Sequence, residues 1–364
     1  MRLLALTALA AVLCAAPAVA QEDGDEIVLP EPRVSAGMSA AELRSGLDSW
    51  FAGLAEAGLF NGAILVARDG EEIYTAAIGT LGADDLAPVS TDTRFSMASI
   101  GKLFTHVAVA QLIEQGRLSP DDTIGELLPD YPNALSRSAT VRQLLEHRAG
   151  VSDFFAPPFM ETPKDQFASN ADYYRFVSSL PAEFAPGERE QYCNGCYVVL
   201  GEIIARVTGQ TYEQYLAEAV FAPLGMNSTE FSRYDRLPEG TARFTGRPMG
   251  PEGELMDVSE YHGVSGSGAG GVYSTVRDML VFDNALRENR LLSPEMTAQV
   301  LRAPAASEGR SSARSGFAGG GPGVNTILLG DGAWTLIILT NRDEPGAEAM
   351  GLRLFPLLAG ARET

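Results

Sequence analysis

Apolar positions recur along this chain with two different periods, and the changes from one period to the other mark its elements. Leu43, Leu47, Phe51 and Leu54 fall three or four residues apart behind Ser39 and Glu42, a capping-box pair, so a first helix is expected over roughly 39 to 57. Ala63 to Ala67 and Glu71 to Ile78 flank Asp69-Gly70, a dipeptide that tolerates the positive φ of a tight turn, and two antiparallel strands are expected there. From about Thr91 to Tyr261 the pattern turns helical and rich in loops, with segments near 100–115, 140–147, 171–179, 195–207 and 211–221, punctuated by Gly116, Gly150, Gly187 and Gly209. Thr275 and Asp278 cap a further helix that runs to about Leu286. Thr326 to Leu329 and Trp334 to Thr340, joined across Gly330-Asp331-Gly332, form a second hairpin, and a last helix starts near Gly346. Strands near both ends with helices between them imply a single sheet completed by both ends of the chain. The expected class is α+β: a mostly antiparallel sheet flanked by helices, with an inserted all-helical lobe. The α/β lobe takes about 38–90 and 265–364, and the helical lobe about 91–264.

The first twenty residues follow another pattern. Arg2 precedes an apolar run from Leu3 to Ala16 and then Ala18-Val19-Ala20, the small-x-small pattern a signal peptidase cuts, so residues 1–20 read as an export signal. The expected location is exported, periplasmic or secreted. The run falls short of the roughly 20 residues of a bilayer crossing, and no later stretch supplies one, so no membrane span is expected. Cys14 follows Leu13, where a lipoprotein signal wants a small residue. Residues 21–37, acidic and carrying Pro30 and Pro32, read as a flexible leader. The remainder, 38–364, is long enough for one large domain or two interleaved lobes.

Charge narrows the partners. The 364 residues hold 47 Asp and Glu against 27 Lys and Arg, a formal charge of −20, and removing Arg2 with the signal makes the rest more negative. Nucleic acid and anionic membrane surfaces are poor partners for such a body, which leaves a small-molecule or peptide-like substrate. Oligomeric state is not legible. Outside the signal only Cys193 and Cys196 remain, spaced C-x-x-C. They read as two small buried residues or a local bridge, although redox and metal roles share the spacing. With no second C-x-x-C and no nearby His, no metal site is expected.

Two motifs carry chemistry. In Phe95-Ser96-Met97-Ala98-Ser99-Ile100-Gly101-Lys102, at the opening of a helix, Ser99 and Lys102 stand three residues apart, which places an ammonium beside a hydroxyl on one helical face. A serine is a weak nucleophile until a base or positive potential favours its alkoxide, and here the helix N-terminus and Lys102 both supply that potential. Gly101 between them lets a substrate or a neighbouring backbone approach. The second motif, Tyr192-Cys193-Asn194 after Pro186-Gly187, sits on a loop ahead of the apolar helix from Val198 to Ile204 and can aim a phenol and an amide into a cleft. Beside Lys102 that phenol is a candidate general base or proton relay. The alternative is a buried tyrosine with a satisfied hydroxyl.

With these residues the chain resembles the class C β-lactamases, the serine D-alanyl-D-alanine carboxypeptidases and their related esterases, which carry S-x-x-K, then Y-x-N, then K-T-G or H-x-G on a strand edging the site. The resemblance runs from about Phe60 to Asp343. It takes in Leu112 to Asp122, Val141 to Val151 with His147 in an "LL.H.SG" pattern, and Gly270-Gly271-Val272-Tyr273-Ser274-Thr275 with Asp278. It implies a β-lactamase or transpeptidase-like fold, Ser99 as nucleophile, Lys102 as its partner, Tyr192 as base and Asn194 as a contact to substrate or lysine, with no cofactor required. The oxyanion hole would be the Ser99 N–H and one N–H of the third motif, with about 3 to 4 kcal/mol from each donor.

The third motif is where this chain departs. Gly316-Phe317-Ala318-Gly319-Gly320-Gly321-Pro322-Gly323 resembles the family's "GHGGG.PG", with Phe317 in place of His or Lys and Ala318 in place of Thr or Ser. Phe317, Ala318, Gly319 and Gly320 are therefore expected to border the substrate, with Gly320 the candidate oxyanion donor. The backbone role survives; the cationic role is lost. A neutral ester or amide is the expected substrate, turned over through an acyl-enzyme. The alternatives are a β-lactamase or D-Ala-D-Ala carboxypeptidase in which Arg314 or Arg342 replaces the missing cation, and a catalytically silent cell-wall-binding protein. His147 is expected to cap or pack a loop, and His106 and His262 to be ordinary polar positions. A Ser-His-Asp hydrolase is excluded by the lack of a G-x-S-x-G elbow.

Overall fold

The computed structural model describes residues 29–155, 157–250, 253–301, 315–343 and 346–360. Five strands form the central sheet: β1 Gly62–Arg68, β2 Glu71–Ile78, β3 Ser315–Gly321, β4 Val324–Gly330 and β5 Trp334–Thr340. Their order is β2-β1-β5-β4-β3, with every neighbouring pair antiparallel. The two hairpins meet where β1 pairs β5, from Gly62 opposite Thr340 to Arg68 opposite Trp334, so both ends of the chain do complete one sheet. Six longer helices surround it: α1 Ala40–Glu56, α2 Gly101–Glu114, α3 Asn170–Ser179, α4 Asn194–Thr208, α5 Val276–Arg287 and α6 Ala347–Ala359.

The period of two along the strands divides the core. Ile64, Val66, Ile327, Leu329, Leu336 and Ile338 face α1 and α6. Ala63, Leu65, Ala67, Leu328, Ile337 and Leu339 face the other way, into the core that holds α2, α4 and α5. Because both faces are covered, β4 and β5 are buried along their whole length, which is why their sequences are nearly unbroken apolar runs. The expected α+β class, with helices on both faces and a helical run inserted between β2 and β3, is the architecture observed.

Local signals set the helix starts. Ser39 caps α1 and Glu42 reciprocates, and Thr275 Oγ1 caps α5 by accepting from the Asp278 N–H at 3.1 Å. Asp283 and Arg287 of α5 form a fully buried pair at 2.9 Å. Arg287 also donates to Ser315 Oγ at 2.5 Å, and Thr335 Oγ1 donates to Asp283 at 2.8 Å, so one buried ion pair ties α5 to the starts of β3 and β5.

One reading changes and two hold. Residues 1–20, the expected export signal, and residues 21–28 lie outside the described residues, but from Leu29 the expected leader is packed: Leu29 and Val34 are buried against α1 and α6, and Trp50 Nε1 donates to the Pro30 carbonyl at 2.7 Å. Prolines and acids flanking two apolar anchors conceal the anchors in a compositional reading. Ser315–Gly321 is the strand that the resemblance implies for the third motif, held despite its glycines because seven consecutive residues pair with β4. The segment 211–221 is helical as expected, an α-helix over Tyr212–Leu216 whose turns widen through Ala217–Phe221.

Candidate active site

Ser99 lies on a short helical turn, Ala98–Ile100, that leads directly into α2. The turn is held from behind by a glycine-rich loop. Met97 donates its N–H to the Val272 carbonyl at 2.7 Å, and Gly271 donates to the Ala98 carbonyl at 3.2 Å. A Cβ at Gly270 would fall 2.0 Å from the Ala98 oxygen, and one at Gly101 would fall 2.7 Å from the Gly270 Cα, so the close approach expected at Gly101 is made by backbone. Ala98 itself holds φ at 42°, a conformation that costs an L-residue about 1 kcal/mol and is fixed here by those contacts.

Lys102 is buried, and its ammonium donates to Ser99 Oγ at 3.3 Å, Asn194 Oδ1 at 2.6 Å and the Ala269 carbonyl at 2.6 Å. Three acceptors meet the three protons of the charged form. The Tyr192 hydroxyl stands 2.7 Å from Ser99 Oγ, and the Lys102 ammonium lies 4.9 Å from the Tyr192 ring centroid. Ser99, Lys102, Tyr192 and Asn194, spread over 96 residues of sequence, are thus brought into one hydrogen-bonded group.

The start of α4 explains how Tyr192 and Asn194 are aimed. Cys193 is its N-cap, and Cys193 and Cys196 are disulfide-bonded, so the reading that left a local bridge open resolves to a bridge that encloses Asn194. Asp153 Oδ2 accepts from both the Asn194 N–H at 3.1 Å and its Nδ2 at 2.8 Å, which turns Oδ1 toward Lys102. His147, at φ 58°, accepts the Cys193 N–H on Nδ1 at 3.2 Å and lays its ring 5.0 Å from Tyr192 and 5.2 Å from Tyr197. It packs the loop carrying the phenol. Asp153 was missed in the sequence: it follows Gly150-Val151-Ser152, directly after the segment containing His147, but nothing local points it at a residue 41 positions away.

Strand β3 closes the other side. As an edge strand it leaves alternate N–H groups without a strand to bond. A Cβ at Gly319 would fall 2.8 Å from the Ser99 nitrogen and 2.7 Å from the Met97 carbonyl, so only glycine lets the strand lie this close. Thr326 Oγ1 bridges the two segments, 3.2 Å from both the Met97 and Gly319 carbonyls. Gly320 and Gly321 line a cavity of about 90 Å³ together with Ser99 and Asn194. Phe317 shares the face of Gly319 and packs, half-buried, against the core around α2; Ala318 faces α1 and α6. Neither is among the residues lining the cavity.

The cavity wall continues through Phe154, Tyr173, Tyr234, Phe244, His262 and the loop 263–271. Among the described residues that line it none is Asp, Glu, Lys or Arg; Lys102 stands behind Ser99, Asn194 and Ala269. His262, expected to be an ordinary polar position, belongs to this wall. Desolvation holds its pKa down at about 4, against the pull of the Pro322 carbonyl, Asp343 and Asp257. Of the two candidate replacement cations, Arg314 lies outside the described residues. Arg342 donates to Asn61 Oδ1 at 3.2 Å, and burial and the neighbouring Arg247 lower its pKa to about 10. It is not part of the cavity wall. No set of three His, Cys, Asp or Glu side chains converges as a metal site among the described residues, and no helix there is long and apolar enough to cross a membrane.

A serine, a lysine and a tyrosine around one hydroxyl, on a five-stranded antiparallel sheet with a helical insertion, define a class of serine-hydrolase fold. A sequence model of the beta-lactamase family matches residues 47–361, and the chain belongs to that family, within the superfamily that also holds the penicillin-binding proteins. Penicillin-binding protein 4* of Bacillus subtilis is 27% identical over 331 residues, 83% of this chain and 72% of that protein. Esterase EstB of Burkholderia gladioli is 27% identical over 327 residues, 81% of this chain and 82% of that one. The crystal structure of a penicillin-binding protein from Bacillus halodurans superposes with a TM-score of 0.74 at 26% identity, covering 84% of this chain and 99% of that one. Other curated relatives are longer, and the match spans 56% of one and 34% of another.

Proposed function

We propose that this protein is an exported serine hydrolase that acts on small neutral esters or amides through an acyl-enzyme on Ser99. The observation that carries the reading is the pairing of a hydroxyl flanked by Tyr192 at 2.7 Å and Lys102 at 3.3 Å with a small cavity whose described lining residues bear no formal charge. Ser99 Oγ attacks the carbonyl carbon as its proton passes to the Tyr192 oxygen, and the Lys102 ammonium favours the anionic form of the pair. The developing oxyanion is met by the backbone N–H groups of Ser99 and Gly320. Tyr192 then returns the proton to the departing alcohol or amine as the bond from the carbonyl carbon breaks, and water repeats the sequence on the acyl-enzyme. Asn194 fixes Lys102. A carboxylate on the substrate would enter a wall whose described residues include no cation to receive it, at a cost of several kcal/mol once desolvated. Among the relatives, the esterase supports this reading.

The test is steady-state kinetics on three substrates. A neutral short-chain ester should exceed both a β-lactam and an acyl-D-Ala-D-Ala peptide in kcat/KM by about 100-fold or more. Tyr192→Phe and Lys102→Met should each lower turnover of the ester by about 100-fold or more with an unchanged melting temperature. Faster turnover of the β-lactam, or full activity in both variants, would contradict the reading.

A further inference from the structure

One side chain of the cavity wall has a hydrogen-bonding role that the reaction does not use. His262 Nε2 lies 2.6 Å from the Pro322 carbonyl oxygen, and since a carbonyl only accepts, Nε2 carries the ring proton. The ring is neutral at the pH of most assays, because desolvation keeps its pKa near 4. In that tautomer Nδ1 is an acceptor, and it has no hydrogen-bond partner among the described residues. The ring cannot turn freely: it stacks on Phe244 at 3.9 Å and 17°, and Phe244 in turn stacks on Tyr234 at 5.3 Å and 17°. A side chain at Gly321 would meet the ring at Cε1, the carbon bonded to both nitrogens, 3.5 Å away, so that edge of the ring faces β3, and both residues line the cavity.

We propose that His262 determines specificity by accepting, on Nδ1, a hydrogen bond from an uncharged N–H or O–H group of the substrate, so that the preferred ester or amide carries one such donor near its scissile carbonyl. This rests on the hydrolase reading. A fixed acceptor beside the rings of Phe244 and Tyr234 rewards a ligand that supplies the matching donor and penalises one that leaves it unpaired. The flat wall of Phe244 and Tyr234 takes the apolar remainder of such a group.

The experiment compares the 4-nitrophenyl ester of N-acetylglycine with its N-methyl counterpart, which lacks the donor. The wild type should prefer the N–H ester by about tenfold or more in kcat/KM. His262→Phe, which keeps the stack on Phe244, should bring the ratio close to one by slowing the N–H ester while changing the N-methyl ester by less than about threefold; His262→Met is the second apolar replacement if the first does not fold. His262→Gln, which keeps a donor for Pro322 and an acceptor for the substrate, should retain the preference. An unchanged ratio in a folded Phe or Met variant overturns the proposal, as does a loss that falls equally on both esters. If the wild type turns over neither ester, the hydrolase reading fails and takes this proposal with it; turnover of both at equal rates removes only the role of His262.

Discussion

Asn194 serves Lys102 because its amide is held one way round. A carboxylate only accepts, so Asp153 Oδ2 fixes Nδ2 on its side and leaves Oδ1 for the ammonium 2.6 Å away. Asp153→Ala should therefore free the amide, loosen Lys102 and lower kcat on a neutral ester by about tenfold or more with KM changed by less than about threefold, because the residue touches no substrate. Asp153→Asn, whose own amide can turn an oxygen toward Nδ2, should recover part of the loss. Equal changes in kcat and KM, or none, would remove Asp153 from the positioning chain. Within the hydrogen-bonded group, Ser99 beside Lys102 was legible from spacing, whereas Tyr192 and Asn194 were joined to them through the resemblance to the family's Y-x-N motif. Asp153 and His262 were not, since each acts through a contact made 41 or more residues away and neither belongs to a local pattern.

Strand β3 depends on its anchor as much as on its own sequence. Four of its seven residues are glycine, which contributes neither β-propensity nor side-chain packing, and periodicity could not reveal it as a strand. Its pairing with β4 and the reach of Arg287 to Ser315 hold it against the Ser99 turn. Arg287→Met should leave Asp283 as an unpaired buried charge and destabilise the protein by about 3 kcal/mol or more in urea unfolding. The double change Arg287→Met with Asp283→Leu should be milder than either single change, as removal of a whole buried pair is. A single variant as stable as the wild type would show that the pair does not anchor the strand. The helices and the two hairpins, by contrast, were readable at close to their observed limits, because each carries its own cap, turn or period.

Across the whole molecule, charge and cavity point in opposite directions: the chain has a formal charge of −20, yet the described wall beside Ser99 is uncharged. The surface field disfavours anionic substrates at a distance and the wall disfavours them on contact. The order of elements, one sheet built from both ends with a helical insertion, followed from the hydrophobic pattern, whereas the aromatic wall did not, because its rings come from separate stretches between Phe154 and Tyr273. The central claim is that Ser99 carries the acyl group, and the direct measurement is peptide mass spectrometry of the enzyme acid-quenched during turnover of a neutral ester. An added mass equal to the acyl group on the peptide containing Ser99, absent from Ser99→Ala, is the predicted result. An adduct on any other residue, or turnover undiminished in Ser99→Ala, would contradict it.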